Sequence, residues 1–207
     1  MSAWDIIVIF LGLFYLYMVL DHKNLARRRA GRDGEYLADK RIKSILKKGD
    51  YLLSNVNLNE EGRKTELDKV VINRNGLFVF EVKSFSGTVF GDEDEDNWEK
   101  VKISRGGNRY TKIISNPIIQ LKREINILAN LLKKNNVRVW VNGYVYLLAD
   151  GSRVTSDLVV MNSSTIDSII HAQNGTELSE EKIKQIIEVL NTQNKIRTLK
   201  KVKVYKK

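Results

Sequence analysis

Between Glu66 and Lys83 the chain sets two short apolar runs around a turn, and no other segment restricts the fold as tightly. Leu67 to Ile72 and Leu77 to Lys83 read as strands rich in Val, Ile and Phe. Asn73-Arg74-Asn75-Gly76 between them carries a hairpin signal. Residues two apart in a strand share a face, so Glu81 and Lys83 stand side by side with Leu77 and Val79 below them. An apolar strand therefore ends in two opposite charges. The turn decides what faces them. A four-residue loop from Asn73 to Gly76 sets Ile72 across from Leu77 and Asp68 across from Glu81; a two-residue turn at Asn75-Gly76 sets Asp68 across from Lys83. Both registers gather the three charges on one face, whereas a three-residue loop or a bulge separates them.

Carboxylates opposed across a hairpin repel, and on a partly buried face the repulsion costs stability unless a cation or a proton lies between them. A divalent ion resolves the conflict: Mg²⁺ favours a few carboxylates plus water and phosphate oxygens. A lysine two residues on can offset charge developing as a phosphodiester breaks. Asp68 and Glu81 are thus expected as metal ligands for Mg²⁺ or Mn²⁺, with Lys83 beside them. Glu35, at a helix start and on its inward stripe, is a candidate third carboxylate.

The rest of the chain divides around this hairpin. Ile6 to Leu20 contain no charge, and as a helix they span roughly 22 Å against a hydrocarbon core of about 30 Å. With Ser2 to Asp5 added, residues 2–21 are expected to form a transmembrane anchor, Trp4 lying at an interface. A cleaved signal peptide fits less well, since no Lys or Arg precedes the run and no small-x-small site follows it. Lys23, Arg27, Arg28, Arg29 and Arg32 crowd the far flank, a basic juxtamembrane segment over residues 22–30 that places the following domain in the cytoplasm. From Gly31 a helical stripe of Ala38, Ile42, Ile45 and Leu46 ends at Gly49. Strands are expected at Tyr51 to Leu58, Val137 to Leu148 and Leu158 to Met161. A further hairpin over Val101 to Ile113 turns at Gly106-Gly107. Asn116-Pro117 caps a helix with the stripe Ile118, Leu121, Ile125, Leu128 and Leu132. Two more helices start near Ser164 and Ser179. Strands and helices alternate without a linker, so residues 31–195 read as a single α/β domain, followed by a basic tail at 196–207.

Charge and composition narrow the chemistry. Cysteine is absent, which excludes disulfides, thiolate ligands and cysteine nucleophiles. The net charge of +10 suits a polyanionic partner, although the tail from Lys195 holds seven of the basic residues and no acid. Lys102, Arg105 and Arg109 on the 101–113 hairpin, with Lys100 and Lys112, are candidates to hold substrate phosphates. The five successive acids Asp92 to Asp96 lack the alternation of a coordinating loop and read as solvated.

Asp68 followed by Glu81-Val82-Lys83 at the end of an apolar strand resembles the PD-(D/E)xK signature of restriction-endonuclease-like enzymes. The ordered set Gly34-Glu35, Glu66-Leu67-Asp68-Lys69-Val70-Val71, Gly76 to Lys83, Gly87 and Asn116-Pro117 with Gln120 is similar to the nuclease-related domain, NERD. The resemblance covers roughly residues 31–160; Leu67 stands where the signature's name has proline. It implies a restriction-endonuclease-like fold, with a mixed central sheet flanked by helices. It also implies metal-dependent hydrolysis of phosphodiester bonds in nucleic acid, DNA by family analogy. In that reading Asp68 and Glu81 hold the metal, Lys83 acts at the scissile phosphate, and Glu35 and Gln120 complete the catalytic set. The rival expectation is a catalytically inactive module that binds nucleic acid or protein at the membrane.

Overall fold

The computed structural model describes residues 3–173, 175, 177–194 and 203–204. Helix α1 (Ala3–Ile45) leads into strands β1 (Tyr51–Glu60), β2 (Arg63–Asn73) and β3 (Gly76–Ser84). Strands β4 (Thr88–Asp92), β5 (Asn97–Ile103) and β6 (Arg109–Ser115) follow, then α2 (Pro117–Lys134) and β7 (Val141–Leu148). Short strands β8 (Arg153–Thr155) and β9 (Val159–Val160), helices α3 (Ser163–His171) and α4 (Glu180–Asn194), and β10 (Lys203–Val204) complete the order.

Two mixed sheets result. The larger runs β10-β1-β2-β3-β7-β9, antiparallel from β10 to β3 and parallel from β3 to β9. The smaller runs β6-β5-β4-β8. One face of the larger sheet packs on α2 and α4 through Val70, Ile72, Leu77 and Val79; the other packs on α1 and α3 through Val71, Phe78, Phe80 and Val82. Alternation along β3 thus feeds both cores, as a central strand must. The α/β expectation holds, but with a second sheet that the periodicity of the sequence does not announce.

Helix α2 forms where Asn116 and Pro117 predict it. The Asn116 side chain accepts a hydrogen bond from the Ile118 N–H at 2.8 Å, leaving proline at the first helical position, where no N–H is needed. Its apolar stripe buries Ile118, Leu121, Leu128 and Leu132 as expected, but Glu124, Ile127 and Leu131 are buried too, while Ile125 is only half-buried.

At the other end, α1 is one unbroken helix of 43 residues and does not start anew at Gly31. The transmembrane expectation is not met: among the described residues no helix is long and apolar enough to cross a membrane. The uncharged run is bounded by Asp5 and Asp21 and falls short of the hydrocarbon thickness by several ångströms. Among the described side chains of α1, the buried ones lie in its last turns, Ala38 and Ile42, with Leu46 just beyond. Gly34 is needed there, because a Cβ on it would stand 2.3 Å from the Ser84 Cβ at the end of β3. That close approach delivers Glu35 to the strand end carrying Glu81 and Lys83. Much of the basic tail lies outside the described residues; within it, Lys203 and Val204 pair with Leu52 and Tyr51 of β1.

Candidate active site

The β2–β3 hairpin adopts the register in which Ile72 opposes Leu77, and Asn73 also pairs with Gly76, so the turn proper is Arg74-Asn75. This excludes the alternative turn at Asn75-Gly76. The ladder stops at Lys69 opposite Phe80, although β2 reaches back to Arg63 and β3 on to Ser84. The two strands therefore diverge at Asp68 and Glu81. The Asp68 carboxylate fills the first gap, accepting a hydrogen bond from the Val82 N–H at 2.8 Å. On its far side β3 remains paired with β7, Glu81 opposite Val145 and Lys83 opposite Leu147. A rigid strand thus holds Glu81 and Lys83 at the mouth of the wedge.

Opposite Asp68 on β1, Asn55 has φ 55°, a left-handed backbone, and it is the one residue between Ser54 and Val56 without a partner in the β1–β2 register. The interruption shifts the alternation. Leu53 and Val70 on one side of it, and Val56 and Leu67 on the other, all face the α2 core. Asn55 Nδ2 donates to Glu35 Oε2 and to Glu66 Oε1, both at 3.1 Å. Glu35 is therefore tied to the wedge, and its charge adds to those raising the Asp68 pKa.

The charged side chains at this strand end are linked by short contacts. Lys83 forms an ion pair with Glu81 and donates to Gln120 Oε1 at 3.0 Å. Gln120 Nε2 donates in turn to Glu124 Oε1 at 2.8 Å, and the Thr65 hydroxyl reaches the same oxygen at 3.4 Å. Glu81, Lys83 and Gln120 are thereby linked; Asp68 joins them through the Val82 N–H and its charge interaction with Glu81, with Glu35 at the edge of the cluster. Glu124 is the member the sequence reading missed. Its signal was present: it sits three residues after Leu121 and four before Leu128, on the stripe that an amphipathic helix reserves for apolar side chains.

Glu81 is 2 % exposed and Glu124 1 % exposed, and one oxygen of each, Oε2, is buried without a hydrogen-bond donor. Burial, reinforced by the Glu81 charge, pushes the Asp68 carboxyl up to about 7. Burial also raises Glu81 to about 7, against the pull of Lys83 and with the help of Glu124, which lies within hydrogen-bonding reach. Glu124 is raised, again chiefly by burial. The cluster therefore holds more carboxyl groups than its one lysine can neutralise, and near neutral pH it retains protons that a cation could displace. Among the described residues no group of three or more His, Asp or Glu side chains is arranged to hold a metal. Asp68 and Glu81 with water and phosphate oxygens form a donor set that Mg²⁺ accepts, and the unpartnered Glu81 oxygen fits that use.

On the opposite face of β2, Lys69 is buried and lies 3.7 Å from Asp39 of α1. Burial lowers the Lys69 pKa. For Asp39 burial acts upward but is outweighed by hydrogen bonds from Lys43 and Ser54 and by the charge of Lys69, so its pKa falls. This network clamps α1 to β1 and β2 directly behind the wedge. Lys102, Arg105 and Arg109 are exposed on the β5–β6 ribbon of the second sheet, Lys102 opposite Tyr110 and Arg109 opposite Ile103. They are not part of the carboxylate cluster. The acidic run 92–96 serves the fold instead: the buried Asn116 amide donates to the carbonyls of Asp92, Glu93 and Glu95, and Glu93 pairs with Lys122 at 3.0 Å.

Fold and site together define a mixed α/β domain built around acids and one lysine at the end of a central strand. A family model described as the nuclease-related domain, NERD, matches residues 30–148. The chain belongs to the NERD family, and the resemblance read from the sequence stands. An uncharacterized protein of Bacillus anthracis is 30 % identical over 105 residues, a match covering 50 % of this chain and 47 % of that protein. The chain thus spans about half the length of that relative. No solved structure matches the chain.

Proposed function

We propose that this NERD protein hydrolyses phosphodiester bonds of nucleic acid, DNA by family analogy, at the wedge between β2 and β3, with Mg²⁺ or Mn²⁺ as cofactor. One observation carries the reading: Asp68 and Glu81 meet where two paired strands part, with Lys83 ion-paired to Glu81 and bound to Gln120. Asp68 and Glu81 would hold the cation, which supplies Lewis-acid activation of a phosphate oxygen. The protein's own residues do the rest. Val82 N–H fixes the Asp68 carboxylate. Gln120, held by Glu124, aims the Lys83 ammonium, whose charge offsets the negative charge that builds on the phosphate oxygens in the transition state. Glu35, fixed by Asn55, adds a carboxylate at the mouth of the site.

Attachment to a membrane is the second part of the proposal. Trp4 and the apolar side chains from Val8 to Met18 are exposed along the first half of α1, a surface that lipid would cover. The basic residues that follow the apolar run, from Lys23 to Arg32, would favour an anionic lipid surface such as that of a cytoplasmic leaflet.

Cleavage of single- and double-stranded oligonucleotides by the purified full chain, with Mg²⁺ or Mn²⁺, tests the hydrolytic reading. Metal-dependent cleavage by the parent that is lost in Glu81→Ala and Lys83→Ala is the expected result. Cleavage that survives both substitutions contradicts it, and equal binding without cleavage in all three proteins establishes a binding module instead.

A further inference from the structure

The β5–β6 ribbon presents two different faces. Its register sets Trp98 opposite Ile114, Lys100 opposite Lys112 and Lys102 opposite Tyr110. Directly opposed residues share a face, so one side runs from the buried Trp98 through Lys100 and Lys112 to Lys102 and Tyr110. Arg109, opposite Ile103, and Glu99, opposite Ile113, lie on the other side. Beyond the buried Trp98 and the half-buried Ile114, the first face therefore holds three lysines, the exposed ring of Tyr110 and no acid. Its near end adjoins the active site: Lys100 Nζ lies 5.6 Å from the centroid of the Phe85 ring, and Phe85 follows Lys83 by two residues. At its far end Tyr110 is 59 % exposed, flanked by the exposed Lys102 and Lys112.

The pairing of ring and charge selects the occupant. Ammonium groups spaced along a strand match a phosphate backbone in general, but an exposed ring gains a partner only from a base whose face is free. In a duplex those faces are stacked on one another; in a single strand they stack on aromatic side chains while basic groups follow the backbone. We propose that this face of the ribbon grips single-stranded nucleic acid, with Lys100, Lys102 and Lys112 on phosphates and Tyr110 under a base, and leads the strand to Lys83. The proposal rests on the nucleic-acid reading of the site and adds the strandedness of its substrate.

Fluorescence anisotropy tests it, using the full chain in detergent micelles with EDTA, a labelled oligothymidylate about 20 nucleotides long and a mixed-sequence duplex of the same length. The single strand is expected to bind more tightly than the duplex. Tyr110→Ala should weaken single-strand binding roughly tenfold while duplex affinity stays the same, and Tyr110→Phe, which keeps the ring, should bind as the parent does. Replacing Lys102 and Lys112 together by alanine should lower the slope of log affinity against log salt by about 1.4, at about 0.7 per phosphate of a single strand. Parent-like single-strand affinity in Tyr110→Ala overturns the proposal. So does an equal loss for both nucleic acids. The two readings fail separately: a parent that binds through Tyr110 but never cleaves with Mg²⁺ keeps the grip and loses the hydrolysis, whereas one that cleaves but ignores Tyr110→Ala does the reverse.

Discussion

Glu81 is buried at the end of β3 with one oxygen bound to Lys83 and the other without a donor, and this sets the pH behaviour of the whole site. Asp68 and Glu81 have ordinary values of 3.8 and 4.5 and reach about 7 in the fold. The folded chain therefore binds more protons than the unfolded chain between those limits. The stability this confers is complete below about pH 4 and is lost as pH rises through about 7. Cation-free protein is expected to melt at a higher temperature near pH 5.5 than near pH 8, measured by calorimetry, and the difference should shrink in Glu81→Gln. Because Glu124 helps to raise Glu81, Glu124→Gln should move the midpoint of this pH dependence downward, and an unmoved midpoint would count against the contact. Of the four connected site residues named from the sequence, Asp68, Glu81 and Lys83 were legible because a strand's period of two fixes which side chains share a face. Gln120 was legible through the family's ordered pattern alone. Glu124 escaped because an acid on an amphipathic helix ordinarily faces water, and only the packing of α2 against the diverging strands reveals that this one does not.

Pairs of elements are joined at a few points that substitution can probe. Lys69 and Asp39 tie β2 to α1, and Lys69 is 2 % exposed. Removing one partner of a buried pair leaves an uncompensated charge, which costs on the order of 3 kcal/mol, whereas replacing both partners by apolar groups of similar volume is close to neutral. Asp39→Ala should therefore destabilise the protein by about that amount in denaturant unfolding, and Asp39→Leu combined with Lys69→Met should cost much less. Asn116 caps α2 and also donates to three carbonyls of the 92–96 loop. Asn116→Ala is expected to cost about 2 kcal/mol or more, beyond a simple cap, since buried acceptors lose their donor as well. The sequence showed α2 sharply because its cap, proline and stripe are all local. It placed the start of α1 wrongly because Gly31 and Gly34 look like breaks, and one helical glycine costs only about 1 kcal/mol, which packing against Ser84 can offset. It concealed β4 and β8, strands of 5 and 3 residues that pair with each other, β4 also with β5.

The molecule as a whole joins an exposed apolar helix to a domain whose site opens between two strands of its central sheet. If the first half of α1 lies in lipid, the exposed Leu13 and Leu16 are in contact with it. The full chain should then float with phospholipid vesicles in a density gradient. Replacing both leucines by aspartate should release it, since each buried charge in a membrane costs about 3 kcal/mol; flotation unchanged by the double substitution would contradict the attachment. Titration calorimetry of Mn²⁺ into the full chain near pH 8, parent against Glu81→Gln, tests the cation site itself. The parent should bind one cation, with affinity that falls as pH drops toward 6 because the ion must displace protons, and binding should be abolished in Glu81→Gln. Equal binding by both proteins, or none by the parent, would contradict it.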